Sequence, residues 1–375
     1  MLFDLIASFI KAVLVFAVVM SFVPFLIWLE RKLVAWMQQR IGPNRTGPFG
    51  LLQPIADAVK LIIKENIFPS GVEKITYFLA PMMSMIPALA AFAVIPFGSP
   101  VRIMGRTVNL QVADVNIGIL YILALSSLAV YGAVLAGWSS NNKYSLLGGL
   151  RTSAQMISYE LPIGLSVVSI VLLTGSLSLN EVVRSQASHG IWNIFPQFLG
   201  FIILLISYNA ELNRAPFDLG EAESEIVAGY HTEYSGFRFA MFYMGEYVNM
   251  VTVAALVTVL FLGGWQAPFG PEIPLLWFLI KIFAFILLYM WVRATFPRVR
   301  YDQLMALGWK ILVPASLANL AMTAVIIVLG GPNAVRILSV GSIVLAVLVG
   351  LVLKAAVALR TKSAPGLAPP AGAGS

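Results

Sequence analysis

Nine apolar runs punctuate the chain, at about 3–29, 76–97, 116–137, 154–175, 193–212, 237–262, 275–296, 310–330 and 335–358. Each is close to the roughly 20 residues of helix that a hydrocarbon core about 30 Å thick requires. Lipid offers no hydrogen bonds, and a helix satisfies its own backbone there. The pattern predicts an all-α polytopic membrane protein with nine transmembrane helices in a single membrane domain over 1–360. The first run opens on Asp4 rather than a basic stretch and is too long for a signal-peptide core, so it reads as a span.

One segment has a different period. In residues 51–66, LLQPIADAVKLIIKEN, a step of about 100° per residue puts Leu51, Leu52, Ile55, Val59, Ile62 and Ile63 on one arc. Gln53, Asp57, Lys60 and Lys64 fall opposite. Too short and too charged to cross, it is predicted to be an amphipathic surface helix. It reads either as a strut or as a wall whose polar face lines a partner-facing cavity. The preceding GPNRTGPFG (42–50) is turn-forming by its Gly and Pro content. Residues 361–375, TKSAPGLAPPAGAGS, cannot bury a core and read as a disordered tail.

Charge supplies the orientation. Nine spans put the termini on opposite sides. The loops after spans 1, 3, 5 and 7 and the C-terminus then share one side, which holds most of the 24 Lys and Arg. The other side has only Arg102, Arg106, Arg184 and Arg336, while Lys11 and Lys281 fall within spans. By the positive-inside rule the basic side is cytoplasmic, with the N-terminus outside and the C-terminus cytoplasmic.

Composition narrows the chemistry. Apolar residues make up 59% of the chain and charged residues 11%, against roughly 25% charged in a soluble domain. That excludes a soluble globular protein, a disordered chain and a coiled coil. The net charge of +7 would raise nucleic-acid binding in a soluble protein, but here its location matters more than its sum. With no cysteine there is no disulfide, iron–sulfur ligation or thiolate zinc site. The two histidines, His189 and His231, are set on opposite sides of the membrane and so do not form a haem ligand pair. Any redox centre is expected in another chain.

Acidic residues gather where they are expensive. Glu160 lies near the start of span 4, Glu211 near the end of span 5 and Glu246 in the first turns of span 6. Between spans 5 and 6, ELNRAPFDLGEAESEIVAGYHTEYSG (211–236) holds Glu211, Asp218, Glu221, Glu223, Glu225 and Glu233, with Arg214 its only Lys or Arg. Crowded, buried carboxyls raise one another's pKa and titrate as a set, as a proton relay requires. A solvated acidic loop stays open for Glu221, Glu223 and Glu225. His231 reads as a hydrogen-bonded structural residue, with relay membership as the alternative. After span 7, WVRATFPRVRYDQLM (291–305) puts Arg293, Arg298, Arg300 and Asp302 on the acidic loop's side. These serve either as positive-inside anchors or as binders of carboxylates or of a developing anion.

Four stretches together resemble one family: FLIWLERKLVAWMQQRIGPNRTGPFGLLQPIADAVKLIIKE, SAQMISYELPIGL, YNAELNRAPFDLGEAESEIVAGYHTEYSG and RATFPRVRYDQLM. This is the H subunit of bacterial proton-pumping NADH:quinone oxidoreductase, respiratory complex I, whose mitochondrial counterpart is NADH dehydrogenase subunit 1. The resemblance covers about residues 1–330. It implies a multi-pass subunit of the bacterial inner membrane that forms the wall and entrance of a quinone chamber and relays quinone reduction to proton translocation through acidic residues. It implies no cofactor bound by this chain alone, quinone as substrate, and NADH, FMN and iron–sulfur clusters in partner subunits. The implied partners are the hydrophilic quinone-site and terminal iron–sulfur-cluster subunits, small and antiporter-like membrane subunits and the lipid bilayer, with no nucleic acid. It places Arg31, Gln38, Arg45, Asp57, Lys60, Arg214, Phe217, Arg293, Arg298 and Arg300 around the quinone chamber or its partner contacts. Glu160, Glu211, Asp218, Glu221, Glu223, Glu225 and Glu246 match the family's acidic path. The ninth span and tail depart from the usual eight-span core.

Three rival readings remain beside this one. A related subunit of a membrane-bound hydrogenase would keep the family and drop the quinone. A free-standing transporter would account for the spans and intramembrane acids but not for the paired charges of the cytoplasmic loops. A structural anchor would tolerate neutral loop carboxyls.

Overall fold

The computed structural model describes residues 2–103, 106–221, 223–268 and 273–363. Residues 364–375 of the expected tail and the side chain of Glu223 lie outside that description. In chain order the helices are α1 (Leu2–Met37), α2 (Gln53–Ile63), α3 (Lys74–Ala90), α4 (Gly118–Ser139), α5 (Lys143–Thr174), α6 (Leu179–His189), α7 (Phe198–Glu211), α8 (Glu223–Ile226), α9 (Gly236–Phe261), α10 (Pro274–Thr295), α11 (Tyr301–Leu307), α12 (Val313–Gly330) and α13 (Ala334–Ser363). A π-helical turn, Gly308–Leu312, runs α11 into α12.

Every expected apolar run is helical over most of its length. Among the described residues, eight helices are long and apolar enough to cross a membrane, counting α11 and α12 as one. The run at 193–212 forms a shorter apolar helix, α7, of 14 residues. Its first residues are turn instead, with Ile194 N–H donating to Phe261 O (3.0 Å). α13 packs beside α7, and Ser342 Oγ donates to Phe195 O (2.9 Å), satisfying a carbonyl just ahead of α7.

α9 is the axis of the bundle. From Met250 to Phe261 every residue is buried, as expected of a helix apolar on all sides. α1, α3, α6 and α10 pack around it. Small residues bring neighbouring helices close. A Cβ on Gly132 would lie 3.1 Å from Ala80 O, and one on Gly149 would lie 2.9 Å from Ala133 O. In lipid, such backbone approach provides the dispersion contacts that hydrophobic burial cannot.

Four features were not anticipated. A two-stranded antiparallel hairpin, Val101–Ile103 with Arg106–Val108, interrupts the all-α reading. α6 forms in the loop between spans 4 and 5, because Leu179, Val182, Val183 and Gln186 recur on one helical face and are buried. α5 starts at Lys143 rather than near 154. Its polar first turns are helical because they pack under the acidic loop, a tertiary contact that hydropathy does not register. α13 runs on to Ser363, past the expected boundary of the tail at 361.

The contact between α5 and the acidic loop is unusually tight. A Cβ on Gly148 would fall 2.6 Å from Gly229 Cα, and one on Gly229 would fall 1.7 Å from Gly220 O. Gly148→Val is expected to displace the loop and reduce assembled complex several-fold on blue-native electrophoresis, since overpacking costs about 1–3 kcal/mol or more. Gly164→Val, where a Cβ meets nothing within 4 Å, is the matched control.

The two intramembrane lysines are accounted for. Lys281 Nζ donates to Leu262 O (2.6 Å), Gly264 O (2.9 Å) and Gln266 O (2.8 Å). Lys11 Nζ donates to Gln111 O (2.7 Å). Carbonyls at one end of the bundle thus replace the water that an ammonium would otherwise keep.

Candidate functional site

At the basic end of the bundle, α1, α2 and α9 border an open cavity of about 770 Å³. Met20, Val23, Ile27, Phe239 and Met244 give it apolar walls, and Glu30, Arg31, Asp57, Tyr243, Tyr247 and Arg293 give it a polar end. The amphipathic α2 supplies part of the wall through Pro54, Asp57, Ala58 and Leu61. Arg31 Nη1 donates to Asp57 Oδ2 (2.6 Å) and holds α2 to α1.

Arg214 organises the polar end. It is 3% exposed. Its Nη1 donates to Glu30 Oε2 (2.9 Å) and its Nε to Glu246 Oε1 (2.6 Å). The guanidinium lies 4.4 Å over the Tyr247 ring. Arg293 Nη1 donates to the other oxygen of Glu30, and Tyr247 lines the same cavity. Separate chain segments therefore meet in one charge-paired network. Only such mutual pairing and hydrogen bonding offsets the desolvation of these groups.

Behind α9 lies a second, small cavity of about 50 Å³. Its lining includes Glu211, Glu221 and Glu246, with Asn213 and Tyr230. A water needs about 10–15 Å³ of such volume, so a few waters fit among the three carboxyls. Glu246 joins the two sites, because it pairs with Arg214 and also faces the small cavity. Glu211 is 2% exposed and feels the charge of Glu160. Glu160 Oε1 is buried with no hydrogen-bond partner among the described residues.

The loop carboxyls divide by depth. Glu221 Oε1 accepts from His231 Nε2 (2.7 Å). Burial pushes the Glu221 carboxyl up, but the bond and charge of His231, with Arg293 and Arg214 beyond, hold it below the usual glutamate range. Asp218 accepts from Arg298 Nη2 (2.9 Å). Burial and the neighbouring Glu221 push its carboxyl up, and Arg298 only partly opposes them. Glu225 accepts from Arg151 Nη1 (2.7 Å) as a surface pair.

Known proteins share this sequence over most of its length. The NADH dehydrogenase family model matches residues 10–324. The chain belongs to this family. It is 54% identical to an H subunit of NADH-quinone oxidoreductase from Geobacter sulfurreducens, over 84% of this chain and 94% of that protein. It is 55% identical to the corresponding H subunit of Protochlamydia amoebophila over 80% of this chain and 91% of that one. It is 52% identical to the H subunit of Brevibacillus brevis over 85% and 92%.

Within this NADH dehydrogenase family member, every candidate residue lies in the matched stretch, whereas α13 lies beyond it. The expected residues separate in space. Arg31, Asp57 and Arg293 line the large cavity, Glu211, Glu221 and Glu246 line the small one, and Arg214 bonds Glu30 and Glu246 between them. Phe217 is buried against Tyr159, with ring centroids 6.3 Å apart. Gln155 Nε2 pins that segment by donating to Ala210 O (2.7 Å) and Phe217 O (2.8 Å). Gln38, Arg45, Lys60 and Arg300 are exposed.

Glu30 is the main residue that sequence reasoning passed over in favour of its neighbour Arg31. A signal was present. Val19, Val23, Leu26 and Glu30 follow the i, i+4, i+7, i+11 spacing of one helical face, and all four are buried. Tyr247 carried no such signal and is assigned by contact alone.

Proposed function

We propose that this chain is the H subunit of a bacterial NADH:quinone oxidoreductase, forming the entrance and membrane-side wall of its quinone chamber and relaying quinone reduction to proton translocation. The proposal takes nine spans in one membrane domain of the inner membrane, with the N-terminus outside and the C-terminus cytoplasmic. Lys281 and Lys11 then sit toward the outer face, with the charged loops facing the cytoplasm. The small cavity and the Arg214 network lie on the cytoplasmic half, where the hydrophilic quinone-site and iron–sulfur-cluster subunits dock. NADH, FMN and the iron–sulfur clusters belong to those partners. Small and antiporter-like membrane subunits receive the relayed signal.

The observation that carries the reading is the cavity between α1, α2 and α9, which combines apolar walls with Glu30, Arg31, Asp57 and Arg293. An isoprenoid tail fits the apolar walls. A headgroup that gains electrons and then protons needs groups that answer a change of charge. At low effective dielectric, Coulomb effects over a few ångströms amount to several kcal/mol. Arg214 and Glu246 link the polar end to the carboxyls of the small cavity. From there the relay runs through Glu221, Glu211 and Glu160, with Asp218, Glu223 and Glu225 on its cytoplasmic side.

A quinone with a photoreactive group on its tail tests the placement. In the intact complex it is expected to label α1 and α9 around Met20, Phe239 and Met244, and excess unmodified quinone should protect them. Label confined to other helices of this chain, or undiminished by competitor, would rule the cavity out.

A further inference from the structure

α9 is a partition. Phe239 and Tyr243 on one side line the large cavity, while Phe242 and Glu246 on the other line the small one. His231 sits against this partition, in contact with both faces. Its ring lies 5.7 Å from Phe239 and 6.0 Å from Tyr243, and also 5.0 Å from Phe242 and 3.9 Å from Tyr230. It is 5% exposed. One ring nitrogen, Nε2, bonds Glu221. The other, Nδ1, is buried with no hydrogen-bond partner among the described residues. A histidine that was only structural would be expected to satisfy both nitrogens.

We infer that His231 is the proton-holding switch between the two cavities: it exchanges one proton with Glu221 and so sets the charge of the small cavity in response to the large one. The inference rests on the functional reading above and extends it to a residue outside the carboxyl chain. In the step, the Nε2–H bond breaks and a Glu221 Oε1–H bond forms. An imidazolium–carboxylate pair becomes a neutral imidazole and a neutral acid. No atom or electron leaves the pair, yet one negative charge is lost beside Glu211 and Glu246.

Negative charge in the large cavity favours the imidazolium and keeps Glu221 ionised. Its removal favours the neutral pair. The groups that face this pair are Tyr230 from its own turn, Glu211 from α7, Tyr243 and Glu246 from α9, Arg293 from α10, and Arg214 and Asp218 from the loop. Both cavities bias the same two-state element, which is the physical requirement for coupling between them.

The test uses the assembled complex in proteoliposomes, with His231→Gln as the main variant and His231→Asn as a second should the first assemble poorly. Either amide can donate to Glu221, but neither can hold the extra proton. Protons pumped per NADH oxidised should fall about twofold or more, while NADH oxidation itself continues. A wild-type ratio of protons pumped to NADH oxidised in an assembled variant would overturn the inference. Glu211→Gln, measured in parallel, separates the two claims. If it pumps normally, the carboxyl relay itself fails. If it abolishes pumping while His231→Gln behaves as wild type, only the role of His231 fails.

Discussion

Arg214→Met in the assembled complex is expected to eliminate quinone reductase activity and to lower thermal stability sharply. The guanidinium is 3% exposed and is hydrogen-bonded to both Glu30 and Glu246. Its removal strands Glu246 and leaves Glu30 to Arg293 alone, in a setting where breaking one buried pair costs about 3–5 kcal/mol. Arg214→Lys should rescue little. An ammonium is a point charge on a flexible stem, and it cannot present two fixed N–H vectors to two carboxylates. Arg31→Met is the contrasting case. The Arg31–Asp57 pair is as short, at 2.6 Å, but its side chains are 48% and 32% exposed, and pairs of that kind contribute roughly 0–1 kcal/mol. Melting curves of the solubilised complex with turnover assays distinguish the two. An Arg214→Met complex that melts and turns over like wild type would remove Arg214 from the centre of the site.

The second large effect is expected at Glu211. Glu211→Gln preserves volume and deletes a titratable group from the small cavity, so proton pumping should be lost and coupled turnover should fall about tenfold or more. Glu160→Gln should do the same, because Glu160 acts on Glu211 through its charge. The double variant should be no worse than either single one, as befits groups acting as a unit. Inverted membrane vesicles report both quantities, with NADH oxidation as the rate and a pH-sensitive dye as the pumping signal. Normal pumping in an assembled Glu211→Gln complex would take the small cavity out of the proton path.

How much of this was legible beforehand depends on the physics of each element. The spans were legible because burial in lipid demands long apolar helices whatever their neighbours. The surface helix α2 was legible from its two-faced period. The site was legible in part. The stretch 211–236 announced itself by its density of acids around a single arginine, and Arg214 is indeed buried between carboxylates. Pairing was not legible. Glu30 meets Arg214 across 184 positions of chain, and no local pattern states which of Glu30 or Arg31 turns inward without the helical face being traced from Val19.

The sequence by itself determined the class of the protein, its membrane segments and the stock of charges at one end, because hydropathy, period and composition are properties of short stretches. The tertiary structure alone decided which charges are buried and which are solvated. It drew Glu30, Arg214, Glu246 and Arg293 into one network and left Glu225 and Arg151 on the surface. It also set Glu211, Glu221 and Glu246 around one small space on the far side of α9. The reason is that a charge's energy depends on its distance to other charges and to water, and both distances exist only once the helices have packed.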